Sequence, residues 1–134
     1  MENQENNIIF VTTNPLKHKV SYKTINYDSF ISIININLEN IQYVSFDTET
    51  NGLSPINNQI VLITIHFLGV DYNLDCTLIE KHYKIFEILN LLNNKDILFI
   101  GHNMKFDYKM VKTNFNISIK NIYDTQIAEQ RIYQ

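Results

Sequence analysis

Near the middle of the chain an apolar run, Ile41-Gln42-Tyr43-Val44-Ser45-Phe46, ends in two acids, Asp47 and Glu49. Side chains two apart on a β-strand point to the same face. A strand here therefore brings both carboxylates to one spot at its end, followed by the turn residues Asn51-Gly52 and Ser54-Pro55. Such a spot is costly, because like charges in one site force a pKa upward. A hard divalent cation offsets the repulsion, and Mg²⁺ is commonly held by one or two carboxylates plus phosphate oxygens. The alternative for a bare Asp-x-Glu is a solvated pair at a strand-to-turn junction.

The flanking pattern predicts a mixed α/β layer architecture. Short strands are expected at Ile8 to Val11 and Tyr22 to Ile25. Asp28 is a candidate N-cap for a helix to about Ile36, although the isoleucines there also suit a strand. Gln59 to Leu68 is β-branched and apolar, a buried strand, and Tyr72 to Leu78 returns after a turn at Gly69-Val70-Asp71. His82, Ile85, Phe86, Leu89 and Leu92 recur at helical spacing within Glu80 to Asn93. A strand at Asp96 to Ile100, a helix from Asn103 to Thr113, a strand at Lys120 to Tyr123 and a final helix capped by Asp124 complete the order.

With 134 residues and 45% hydrophobic content the chain can bury one core. We expect residues 1–7 to be disordered and residues 8–134 to form a single domain. A net charge of -3 excludes the strongly basic class of nucleic-acid binder but not a site whose positive charge comes from bound metal. The lone Cys76 permits no internal disulfide and fits a small strand hydrophobe in an intracellular, reducing compartment. No apolar stretch has membrane-spanning length. Lys17-His18-Lys19 reads as a solvated basic cluster.

A second acid follows in Gly101-His102-Asn103-Met104-Lys105-Phe106-Asp107, 60 residues after Asp47. On a helix Asn103 and Asp107 share a face, with Met110 near it and Phe106 and Val111 beside it. Asp107 is thus expected to face the protein body, where a carboxylate needs a partner. A metal shared with Asp47 and Glu49 is one; the helix N-terminus is another. Lys105, Lys109 and Lys112 fall on the opposite face, more readily a solvated surface than phosphate contacts. His102 suits a phosphate contact or a turn cap.

Phe46-Asp47-Thr48-Glu49-Thr50-Asn51-Gly52-Leu53 resembles the first motif of the DEDD (DnaQ-like) 3′–5′ exonucleases. The 101–107 segment is similar to their second motif, and Ile122-Tyr123-Asp124-Thr125 with Ala128-Glu129 resembles the Asp-Thr segment beyond it. Among these enzymes the proofreading domain of family A DNA polymerases resembles the chain most, from about Tyr22 onward. The resemblance implies a ribonuclease H-like fold, with a mixed five-stranded sheet flanked by helices. It also implies hydrolysis of nucleic acid from the 3′ end to nucleoside 5′-monophosphates, with two divalent ions, Mg²⁺ or Mn²⁺. Asp47, Glu49 and Asp107 would be catalytic metal ligands. Thr50 and Leu53 would line the pocket of the terminal nucleotide, and Asn103 and Phe106, with His102 beside them, would contact the strand end. Asp124 reads as a helix cap. The partner implied is a single-stranded 3′ end, of DNA in preference to RNA.

One departure limits the carry-over. The family's third motif, Tyr-x-x-x-Asp or His-x-x-x-Asp, is absent from the 27 residues after Asp107. We therefore expect the C-terminal helix region to be truncated and its apolar flank to be covered by a protein partner or a second copy, as in part of a split or truncated polymerase. The alternative is a catalytically inactive exonuclease-like domain that binds nucleic acid or protein.

Overall fold

The computed structural model describes residues 7–14, 23–78 and 82–132. The expected disorder over residues 1–7 (Asn7 apart) and the Lys17-His18-Lys19 cluster lie outside these residues. Strands β1 (Ile8–Val11), β2 (Lys23–Ile25), β3 (Tyr43–Thr50), β4 (Ile60–Phe67), β5 (Val70–Asp75), β6 (Leu98–Gly101) and β7 (Ile122–Asp124) form one sheet in the order β2-β1-β5-β4-β3-β6-β7. Helices α1 (Tyr27–Asn37), α2 (His82–Asn94), α3 (Met104–Phe115) and α4 (Thr125–Ile132) connect or follow them. The sheet has seven strands, not five. The smaller number omits Ile8–Val11 and Lys23–Ile25, which join because β1 pairs in parallel with both β2 and β5.

The β-branched run of β4 occupies the centre, antiparallel to β3 and to β5. The β4–β5 turn has only two residues, Leu68 and Gly69, both at positive φ (50° and 81°). Two positive-φ residues match the right-handed twist of a hairpin. This tight turn starts β5 at Val70, earlier than expected, and sets His66 opposite Asp71.

Residues 31–36 are helical. Tyr27, Phe30 and Ile34 of α1 are buried at helical spacing, and the Phe30 ring lies 4.6 Å from that of Tyr72. The N-cap is Asn26 rather than Asp28: its side-chain oxygen accepts the Ser29 N–H at 2.8 Å. Asp28 lies in the first turn and binds Lys84 of α2 at 2.8 Å. In α2, Ile85, Ile88, Leu89 and Leu92 are buried, each contributing roughly 1.5–3 kcal/mol. Phe86, expected among them, is 41% exposed because Ile88 takes its place on the inner face; the His82 side chain lies outside the described residues. Cys76, just past β5, is half-buried, and burial pushes its thiol pKa up. Among the described residues no helix is long and apolar enough to cross a membrane.

Strand β3 divides its side chains strictly. Val44, Phe46 and Thr48 are buried, while Ser45, Asp47 and Glu49 are exposed. The buried row joins the core that α1 and α3 also enter. The exposed row lies on the opposite face, together with Thr64 across from Asp47.

Candidate active site

Asp47 and Glu49 share one exposed face of β3, as the two-residue period requires. Among the described residues neither accepts a hydrogen bond or pairs with a cation. Asp107 is 3% exposed, in the first turn of α3. Its Oδ1 accepts the backbone N–H of Thr48 at 3.2 Å and also the Thr48 hydroxyl. The helix acid is thus fastened to the one residue that separates the two strand acids. Oδ2 of Asp107 has no hydrogen bond among the described residues. Burial pushes the Asp107 pKa above the usual carboxylate range; the Thr48 hydroxyl opposes this and the charge of Asp47 adds to it.

The close approach of β6 to β3 needs Gly101. A Cβ there would lie 2.8 Å from the Phe46 carbonyl oxygen and 2.3 Å from the Met104 sulfur. Asn103 is not on the helix proper but caps it in the left-handed conformation (φ 59°, ψ 49°), which asparagine tolerates better than most residues. Its side chain is exposed, while Asp107 is buried, so the two do not share an inner face. Phe106 is half-buried against the core.

Asp124 takes up the start of the same helix. Its carboxylate accepts the N–H of Asn103 (3.0 Å), of Met104 (2.8 Å) and of Gln126 (2.9 Å). One side chain therefore caps both α3 and α4. Burial raises its pKa, but these donors and the Ile127 N–H more than offset that, and the net shift is downward. With its oxygens so engaged, Asp124 is a cap, as the sequence predicted.

The loop after β3 is organised around Gly52. Thr50 Oγ1 donates to the Gly52 carbonyl at 2.6 Å, and a Cβ on Gly52 would meet the Asn58 side chain at 2.4 Å. The loop carries Leu53, which is 88% exposed. Thr50 therefore holds the turn, and Leu53 is free to meet a ligand. His102 is exposed; its Nδ1 lies 3.1 Å from Thr125 Oγ1, whose hydroxyl donates to the Gly101 carbonyl.

Two residues escaped the sequence reading. A concavity of about 260 Å³ beside Asp47 is also lined by Thr64, His66, Asp71, His102 and Thr125. His66 Nδ1 lies 2.5 Å from Asp71 Oδ1. The signal was the two-residue turn, which fixes this cross-strand pair. A larger groove, about 690 Å³, lies on the β7–α4 flank; its lining is mostly apolar (Met104, Tyr108, Ile122, Tyr123 and Ile127), with Lys105 and Asp124 among it.

Asp47 and Glu49 put two unpartnered hard oxygen donors on one face of β3, and Asp107 is held by Thr48 of the buried row of the same strand. Among the described residues no three His, Cys, Asp or Glu side chains close on a single point.

Residues 22–133 match the 3′–5′ exonuclease family model. The chain belongs to the 3′–5′ exonuclease family. DNA polymerase I of Borreliella burgdorferi is 32% identical over 130 residues, covering 87% of this chain and 14% of that protein. The exonuclease domain thus spans about a seventh of the polymerase it matches. Its fold is ribonuclease H-like. A mutant of the catalytic core of RRP6 from Trypanosoma brucei superimposes with a TM-score of 0.74 at 17% identity, covering 100% of this chain and 33% of that one. Brucella melitensis NrnC with bound Mg²⁺ gives 0.62 at 19% identity, covering 95% and 54%.

Proposed function

We propose that the chain is the 3′–5′ exonuclease module of a larger polymerase or exonuclease assembly, removing nucleoside 5′-monophosphates from a single-stranded 3′ end, of DNA in preference to RNA. The observation that carries this is the fastening of Asp107 to Thr48, between Asp47 and Glu49. Asp47, Glu49 and Asp107 hold two divalent ions, Mg²⁺ or Mn²⁺. Bound ions of this kind neutralise charge at the scissile phosphate and activate water. NrnC has been solved with Mg²⁺ and with pGG, which supports both the metal and a short nucleic-acid substrate.

The remaining residues bind and orient. Leu53 packs on the terminal base, and Thr50 fixes the turn that presents it. Asn103 and Phe106 meet the strand end, and His102 lines the same concavity as Asp47. A protein partner seats on the apolar β7–α4 flank, where Tyr123 and Ile127 are half exposed.

The test is Mn²⁺-dependent release of mononucleotides from 5′-labelled single-stranded DNA and RNA, with and without a polypeptide carrying Tyr-x-x-x-Asp. Asp47→Ala should lower the rate by about three orders of magnitude or more. An undiminished rate in Asp47→Ala contradicts the proposal. The engagement of Asp107 by Thr48 in the buried row of β3 favours a second reading, a non-catalytic exonuclease-like domain. Its mark would be oligonucleotide binding that neither metal nor Asp47→Ala alters.

A further inference from the structure

Helix α3 carries a cationic stripe that the catalytic reading leaves unused. Lys105, Lys109 and Lys112 are exposed and recur at helical spacing along one side. Of the other described lysines, Lys84 bridges Asp28 and Lys120 lies 3.9 Å from Asp96, while Lys23 and Lys95 are isolated lysines without an ion pair among the described residues. The three lysines of α3 have no carboxylate within ion-pair reach among the described residues. In a chain of net charge -3, this is a local concentration of unpaired positive charge.

A solvated stripe has no need of a wall, yet Lys109 and Lys112 have one. They line a groove of about 390 Å³ with Tyr108, Thr113, Pro55 and Ile56. The opposing turn is held in place. Ser54 N–H donates to Asn58 Oδ1 at 2.9 Å, and Asn58 N–H returns to the Ser54 carbonyl at 2.9 Å. Ile56, on that turn, is 86% exposed to the groove and solvent. Channels for single-stranded nucleic acid combine lysines that follow the phosphates with aromatic or apolar faces that receive bases. The groove offers both. It begins at Tyr108, the residue after Asp107, and its far wall belongs to the loop that carries Leu53. From Asp107 to Lys112 the helix advances about 7.5 Å.

We propose that this groove is a subsite for the strand upstream of the 3′-terminal nucleotide, with Lys109 and Lys112 on successive phosphates and Tyr108 and Ile56 against a base. The proposal rests on the reading of Asp47, Glu49 and Asp107 as the place of the 3′ end. It gives the chain a preference for strands longer than a dinucleotide.

The experiment measures fluorescence anisotropy of 5′-labelled dT2 and dT10, each with a phosphorothioate 3′ linkage, in Mg²⁺ with the 134-residue chain. The wild-type chain should bind dT10 at least tenfold more tightly than dT2. The double variant Lys109→Ala/Lys112→Ala should lose that advantage, keep its dT2 affinity, and show a salt slope shallower by about 1.4. Lys95→Ala/Lys120→Ala, which removes the same charge elsewhere, should bind dT10 within about twofold of wild type. Equal losses in the two double variants, or none in either, overturn the groove. If dT2 binding depends on Asp47 while the groove lysines do not matter, the groove falls and the exonuclease reading stands. If wild type binds neither oligomer, both fall together.

Discussion

Two aspartates flank the first turn of α3 and have opposite electrostatics. Asp107, on its inner side, is desolvated and has its pKa pushed up, chiefly by burial. Asp124, at the sheet edge, collects N–H donors from the starts of two helices and has its pKa pulled down. The edge acid is satisfied by the protein; the central acid is only half satisfied. A buried carboxylate with a raised pKa weakens the fold at neutral pH, and the proposed cation would offset that load. Asp124 has no need of one.

The contrast can be broken at either end. Asp124→Ala should have the largest effect on folding, since both helix starts lose their cap: roughly 2 kcal/mol after allowing for solvent screening at this partly exposed site, read as a lower Tm. Because the folded pKa of Asp124 is depressed, its contribution is present above the ordinary carboxylate pKa and is lost as pH falls through the folded value. The gap between wild type and Asp124→Ala should therefore narrow in acid. An equal gap at every pH would remove the charged cap from the explanation.

Thr48→Val tests the fastening. The backbone N–H still reaches Asp107, but the hydroxyl is gone. Metal affinity should fall about tenfold, as when outer partners of a ligand are removed, with a small change in Tm. No change in affinity would mean that Thr48 does not orient the acid.

The smallest effect is expected from Asp107→Asn without metal. Asparagine can still accept from Thr48 but carries no charge. The Asp107 pKa is raised on folding, so the folded state binds more protons than the unfolded one between the two pKa values, and wild-type stability falls as pH rises through that window. At neutral pH Asp107→Asn should be more stable than wild type by a few degrees of Tm, and the advantage should vanish below the ordinary carboxylate range. A less stable Asp107→Asn at pH 7 would show that the carboxylate is not under electrostatic load.

Much of this site could be read from the sequence, because strand period and helix start are local. The two-residue period placed Asp47 and Glu49 on one face, and Asp124 was recognisable as a cap. Other features depended on turns and tertiary contacts. The left-handed Asn103 turned its side chain away from the Asp107 face. Leu68 and Gly69 closed a hairpin tighter than expected, which hid the His66–Asp71 pair. The opening strands joined the sheet only through β5, a partner far along the chain. Phe86 lost its place inside to Ile88, a choice that periodicity over a short helix does not settle.

The most direct test of the central claim is a Mn²⁺ titration followed by electron paramagnetic resonance, on wild type, Asp107→Asn and Asp124→Asn, with folding of each checked by circular dichroism. The prediction is that wild type and Asp124→Asn bind Mn²⁺ alike, while Asp107→Asn binds at least about tenfold more weakly. Binding by Asp107→Asn equal to wild type, or loss confined to Asp124→Asn, would contradict the assignment of Asp107 to the metal and Asp124 to the fold.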